Sequence, residues 1–325
     1  MEEQIERDLV GHEPKKLDRF WDAQKALGNP WALVRFQISG SKVRAQSIGD
    51  YTATSRPRIP AVFGAIKRLA SHVPLRAADF LVSMHDALDE REHEVPIFVF
   101  AKNQASSSKT ILIPDFEALK GNWHMFPQIA RGQARFPWEK KIEKAVFRGA
   151  MTGGGFNASN FESFPRSRVV RASLDHPDLI DGRYTQIVQV DSKEEIERLF
   201  SAYFGPKLSV EGQLKYKYQL LIDGNSAAYS RAFWQFHAGA AILKQESDHI
   251  QWYYAGLKAN EHYLPIKPDL SDLSEQVKWA RGHDEEMRRL AQNAGEFAKQ
   301  NLSYMRIYQY LLLVLTRYGD LQREV

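Results

Sequence analysis

The chain has 325 residues, 43% of them hydrophobic and 26% charged, which supports packed cores and excludes a wholly disordered protein. Its formal charge of +4 and pI near 9.0 suit a phosphate-bearing substrate or an anionic membrane face without requiring nucleic acid. Cysteine is absent, so disulfides, thiolate metal sites and cysteine nucleophiles are excluded.

Residues 1–28 alternate charges with Leu9, Leu17, Phe20, Trp21 and Leu27, a pattern that predicts one or two surface helices. The segment has no apolar core and does not read as a signal peptide, so the cytoplasm is the expected location. The apolar run at 310–315 is too short to span a bilayer, which leaves at most peripheral contact with the inner membrane face. VRFQI and KVRAQSI flank Ser39-Gly40-Ser41 and predict a hairpin. Pro57 and Pro60 precede a helix over 61–71.

Residues 77–84 (AADFLVSM), 96–101 (PIFVFA) and 111–113 read as buried strands separated by loops, the signature of an α/β sheet. The first ends at His85-Asp86, where open α/β sheets carry working residues, although Asp is also a common helix cap. Residues 131–139 (RGQARFPWE) are polar and contain a proline, and read as a linker.

A strand over 144–147 then runs into Arg148-Gly149 and the cluster Gly153-Gly154-Gly155, where backbone amides can approach an anion closely. No Lys-Ser or Lys-Thr pair follows the glycines and no G-x-G-x-x-G follows the strand, so this is not a P-loop or a dinucleotide fingerprint; by itself such a cluster is more often a flexible loop than a binding site. Arg166, Arg168 and Arg171 follow with a helix, and DHPDLIDGRY reads as a turn. Residues 217–247 read as strand, turn, helix, strand: an apolar run at 218–222, the breaker Asp223-Gly224-Asn225-Ser226, a helix that Ser226 can cap, and a second strand from Ala241. Arg231 lies in the first turns of that helix and reads either as a solvated arginine or as an anion ligand at a helix start. A strand at 263–266, two charged helices over 272–302 and a last helix over 305–318 complete the chain.

Three stretches carry a family resemblance. KYKYQLLIDGNSAAYSRAFWQFHAGAAIL resembles the central motif of the glycosyltransferase 90 family, the lipopolysaccharide-modifying-protein group that includes the protein O-glucosyltransferases. WEKKIEKAVFRGAMTG is similar to its Trp-x-x-Lys…Phe-Arg-Gly segment, and NEHYLPIKPDL with the following helices to its His-Tyr-x-Pro strand. The resemblance runs from about residue 79 to the C-terminus. It implies an α/β fold of GT-B type, two Rossmann-like domains facing a cleft. Residues 1–138 would form the acceptor side, the terminal helix 303–325 packing back on it, and 139–302 would bind the nucleotide sugar.

The implied activity is an inverting transfer of glucose or xylose from a UDP-sugar to an acceptor hydroxyl of a glycan, lipopolysaccharide, glycolipid or protein. Asp86 is the implied catalytic base; the family's Arg-Asp pair stands here as His85-Asp86, without the proline that commonly follows. Arg148, Gly149, Thr152, Arg168, Ser226, Ala228, Ser230, Arg231 and His262 are the implied donor-site residues. No Asp-x-Asp occurs and no two histidines stand three or four residues apart, so no metal or other cofactor is expected. Leaving-group charge then falls to arginine and helix N-termini. A non-catalytic nucleotide-sugar- or glycan-binding protein is the alternative. Nucleic-acid binding is not expected, because Lys and Arg are dispersed and no recognition motif is present.

Overall fold

The computed structural model describes residues 2–9, 17–86, 93, 95–104, 110–121 and 123–323. In chain order come α1 (Glu2–Leu9), α2 (Leu17–Ala26), β1 (Leu33–Gly40), β2 (Lys42–Ser47), α3 (Arg58–His72), β3 (Leu75–Ser83), β4 (Ile97–Val99), β5 (Lys102–Asn103) and β6 (Thr110–Leu112). Next are α4 (Phe116–Lys120), α5 (Phe126–Arg135), β7 (Ile142–Ala150), α6 (Pro165–Asp175), β8 (Ile180–Gln186), α7 (Lys193–Phe200), α8 (Val210–Gln213) and β9 (Tyr216–Leu221). The remainder is α9 (Tyr229–His237), β10 (Ala241–Gln245), β11 (His249–Ile250), β12 (Leu264–Ile266), α10 (Leu273–Gly282), α11 (Asp284–Asn301) and α12 (Tyr304–Leu321). Two compact units result: Met1–Trp123 with Asp248–Gly256 and Ser303–Val325, and His124–Ser247 with Leu257–Leu302.

The division falls ahead of the expected linker. Most of 131–139 is helix: a proline in the first turn of α5 sets the helical φ, and Pro137 lies beyond its end. Within the second unit Arg131 pairs with Glu211 at 2.9 Å, and Gln133 donates to the Ala238 carbonyl at 2.9 Å.

The first unit has a mixed sheet of order β2-β1-β3-β4-β6, antiparallel through the hairpin and parallel from β3 to β6. Tyr318 of α12 packs edge-on against Phe98 at 5.0 Å and Phe80 at 6.1 Å, and Gln322 exchanges hydrogen bonds with the Asp79 backbone. The N-terminal helices are not simply surface elements. Asp8 of α1 is buried, accepts from Lys102 Nζ at 2.6 Å and from the Leu112 N–H at 2.9 Å, and so fastens α1 to β6.

Asp115 caps α4, accepting from the Glu117 and Ala118 N–H groups. Burial outweighs those bonds and pushes its carboxyl up from 3.8 to about 6. A folded value above the unfolded one means that its stability contribution is complete below pH 3.8 and is lost as pH rises through about 6. Asn caps as well as Asp and carries no charge. Asp115→Asn should therefore be more stable than the parent at neutral pH, by about 2–3 kcal/mol at most, and equal to it near pH 4. Denaturant titration at the two pH values checks this; an equal difference at both would count against it.

The second unit is an all-parallel sheet of order β12-β10-β9-β7-β8. The chain starts at β7, goes outward to β8, then crosses back to β9, β10 and β12, so its direction of winding reverses between β7 and β9. That is the doubly wound order whose switch point collects ligands at the strand C-termini. Its core includes Phe147, Leu220, Ile222, Leu243, Ile266 and Val277. The α/β class expected from the sequence holds. The stretch read as a turn, however, holds the first five residues of β8: Ile180, Gly182 and Tyr184 are buried in alternation while Asp181 and Arg183 face the other way. The Asp-Gly pair there is part of an edge strand and not a reversal.

Candidate functional site

β7 delivers Arg148-Gly149-Ala150 to the switch point and β9 ends one residue before Ile222-Asp223-Gly224. The two following loops meet there. The Gly153 N–H donates to Asn225 Oδ1 at 2.9 Å. At Gly224 a Cβ would stand 2.5 Å from Thr152 Oγ1 and 2.8 Å from the Arg166 guanidinium, so only glycine allows this approach.

α9 opens directly after the second loop. Its N-cap is Ala228, which provides no side-chain cap, so the first-turn N–H groups are left to other acceptors. Ser226 does not cap the helix as expected; it lies two residues too early, is buried, and its Oγ hydrogen-bonds the Tyr229 hydroxyl at 2.9 Å. Ser230 is exposed in the first turn.

Arg231 is half-buried, with its guanidinium 4.8 Å from the Phe147 ring centroid, Nη2 donating to the Arg148 carbonyl, and Nη1 buried without a hydrogen-bond partner. Burial first, and the Arg166 charge second, pull this guanidinium down from 12.5 to about 9. No carboxylate offsets its charge among the described residues. A cation held this way gains from any anion that reaches it.

The other expected donor residues divide. Gly149 belongs to the cluster: a Cβ there would meet the Phe147 ring at 2.8 Å and Arg231 Nη2 at 3.3 Å. Thr152 belongs as well, its Oγ1 accepting from Arg166 at 2.6 Å. The Arg148 side chain does not. It is buried on β8, bonded to Asp181 Oδ1 at 2.7 Å and to the Asp181 carbonyl at 2.7 Å, and Tyr216 takes the other carboxylate oxygen. What Arg148 gives the site is its carbonyl, which holds Arg231. Arg168 is exposed and donates to the Asp269 carbonyl at 3.2 Å. His262 precedes β12 by two residues, at the N-terminal edge of the sheet, with its ring 5.0 Å from Phe297; the switch point is at the opposite edge.

In the first unit Asp86 follows β3 and is 31% exposed. It is not a free carboxylate: Arg58 Nη2 donates to its Oδ1 at 2.5 Å, while Nη1 holds the Met84 carbonyl at 2.8 Å. Arg58 also lies 4.4 Å from the Phe116 ring centroid. Neighbouring His85 is pushed down from its ordinary value by burial, with Arg58 adding to the shift against Asp86. Asp89, the nearest other acid, lies outside the described residues, and Asp115 is occupied as a cap.

Sequence reasoning missed Arg58 and the placement of Arg166. Arg166 was visible only as one of three arginines after the glycine cluster. The distinguishing signal is Pro165, which begins α6 and turns the next side chain toward the strand ends. Among the described residues, no group of three or more His, Asp or Glu side chains is placed to hold a metal ion, and no helix is long and apolar enough to cross a membrane.

The second unit is a doubly wound α/β domain with an arginine at its switch point whose charge no carboxylate among the described residues offsets. The match to the model of glycosyl transferase family 90 covers residues 4–324, and the chain belongs to that family; it folds as two α/β units. It is 30% identical over 304 residues to rat protein O-glucosyltransferase 3, covering 90% of this chain and 55% of that protein. Zebrafish protein O-glucosyltransferase 2 is 25% identical over 331 residues, covering 98% of this chain and 62% of the relative. The chain thus spans between half and two thirds of the length of these relatives. Among solved structures, Anabaena HepE in complex with UDP is similar at a TM-score of 0.48 and 12% identity, covering 80% of this chain and 77% of that one.

Proposed function

We propose that this chain is an inverting, metal-independent glycosyltransferase that moves glucose or xylose from a UDP-sugar to an acceptor hydroxyl of a glycan, lipopolysaccharide, glycolipid or protein. It would act in the cytoplasm or at the inner membrane face. The observation that carries the reading is Arg231 Nη1, buried without a partner beside the open start of α9. A diphosphate supplies what that cation lacks. Membership of glycosyl transferase family 90 supports sugar transfer as the reaction.

In this mechanism Asp86 takes the proton as the acceptor oxygen attacks the anomeric carbon. The bond to the diphosphate oxygen breaks on the opposite face, inverting the configuration, and the electron pair leaves with UDP. Arg231 and the α9 amides meet the negative charge that develops there. A non-catalytic binder is the second reading, favoured by one observation: Asp86 Oδ1 is engaged by Arg58 at 2.5 Å, so that oxygen must give up a partner before it can take an acceptor's proton.

UDP release from UDP-glucose and UDP-xylose, measured in excess EDTA with and without acceptor glycans, tests the function. Turnover should persist in EDTA. Loss restored by manganese or magnesium would overturn metal independence. Thermal stabilisation by UDP-sugars without release would favour the binder.

A further inference from the structure

A cavity of about 590 Å³ lies within the second unit, walled by the segment between α5 and β7, the start of β9, the link from α9 to β10 and one face of α11. All strands of this sheet are parallel, so the starts of β9 and β10 are at the edge opposite the switch point. A six-residue β9 rising ~3.3 Å per residue separates the two by roughly 16–20 Å. Space is left there because the link is Ala238-Gly239-Ala240, and α11 meets it backbone to backbone: a Cβ on Gly295 would stand 3.2 Å from the Gly239 Cα.

Four Lys and Arg side chains line this cavity against one carboxylate, that of Glu296. Lys217 is already satisfied, by Glu143 at 2.9 Å and Asp284 at 2.7 Å. Arg288 meets Glu139 at 3.0 Å and Lys299 meets Glu296 at 3.9 Å, both pairs exposed and so worth little against a better anion. Lys141 differs. Among the described residues it has no carboxylate partner, and its Nζ donates to the Leu214 carbonyl. Burial pulls this ammonium down from 10.5 to about 8. An ammonium has three hydrogens to donate, so it retains capacity for a ligand. Half-buried Phe136 and Trp138 stand on the same wall, and the Trp138 ring is fixed by its N–H, which donates to Asp284 at 2.9 Å.

We propose that this cavity is a second ligand site, distinct from the switch point, which takes a compact phosphate ester carrying an apolar or aromatic ring. Lys141, Arg288 and Lys299 meet the phosphate, and Phe136 and Trp138 cover the ring. A cation enclosed without a counter-charge costs stability, and a phosphate oxygen offsets that cost through a charge-assisted hydrogen bond. Burial of the ring supplies the apolar share of the affinity and separates an ester from free phosphate. The site does not depend on what the switch point binds.

The test is calorimetric titration of the full chain with phenyl phosphate, alone and in excess UDP, repeated on Lys141→Gln and Arg288→Gln. Phenyl phosphate should bind the parent with UDP present, and each substitution should weaken it about tenfold or more, since each removes a charged contact. Arg288 is exposed, so Arg288→Gln keeps the question open to measurement should Lys141→Gln fold poorly; melting temperatures are recorded for both. Affinity for UDP should be unchanged in both variants, which a general loosening of the unit would not allow. Inorganic phosphate, which has the charge without the ring, should bind about tenfold or more weakly than phenyl phosphate. Absence of phenyl phosphate binding, its abolition by UDP, or parental affinity in either folded variant would overturn the site. Equal affinity for inorganic and phenyl phosphate would overturn the ring-bearing ligand class. If the parent fails to bind UDP, the donor reading falls while the two variants still decide this site.

Discussion

Arg231→Ala is expected to weaken UDP binding by about 1.5–3 kcal/mol, roughly 10- to 150-fold, because a charge-assisted contact to phosphate is removed. The same change should not destabilise the protein in proportion. Arg231 has Nη1 unpartnered and no compensating carboxylate among the described residues, so the native state bears the cost of enclosing that charge. Arg231→Met, which keeps much of the side-chain volume over the Phe147 ring, should melt at or above the parent temperature while losing UDP to the same extent. Calorimetric titration and thermal denaturation on the same samples decide it. Unchanged affinity in a folded variant would remove Arg231 as a diphosphate ligand; a large fall in stability would make it a structural arginine.

The uneven legibility of the site in the sequence follows from how each residue acts. Arg231, Thr152 and Gly149 were legible because their place depends on local order: a strand end, a run of small residues, the start of a helix. Arg148 has the same local signature, yet its guanidinium is claimed by Asp181 from β8, a strand that the Asp-Gly pair had disguised as a turn. Arg58 stands 28 residues before Asp86 and pairs with it only once α3 and β3 have packed, so spacing carries no trace of the contact. Ser226 had the right chemistry for a cap and the wrong register, because the helix starts at Tyr229. For the fold, long apolar runs announced β3, β9 and β10. β8 was missed because the Asp-Gly pair inside it reads as a turn, and the end of α5 because Pro137 just beyond it makes the stretch read as a linker.

Asp86→Asn should lower transfer by about two orders of magnitude or more, since a positioned general base typically contributes ~10²–10⁴ in rate and Asn cannot accept the acceptor's proton. UDP affinity should hardly change, because Arg231 and the loops around it belong to the other unit. Conserved size does not guarantee conserved stability in this case. Arg58 is 8% exposed at its side chain, and removing the carboxylate that it holds at 2.5 Å leaves a nearly buried cation without its ion-pair partner. With Asp86 itself 31% exposed, water offsets part of that loss, so a destabilisation of about 1–3 kcal/mol is expected instead of the larger cost for a fully buried pair. The rate must therefore be normalised to folded protein, and Arg58→Gln supplies the control. It breaks the same ion pair, disturbs the same turn and leaves the carboxylate in place. If Asp86 is the base, Arg58→Gln keeps transfer within about tenfold of the parent, because it unbinds the carboxylate without removing it, while Asp86→Asn loses far more. If the pair matters only for holding the end of β3 against α3, the two variants fall together in both stability and rate. Equal losses, or full transfer by folded Asp86→Asn, would end Asp86 as the base and leave the binder reading as the stronger one.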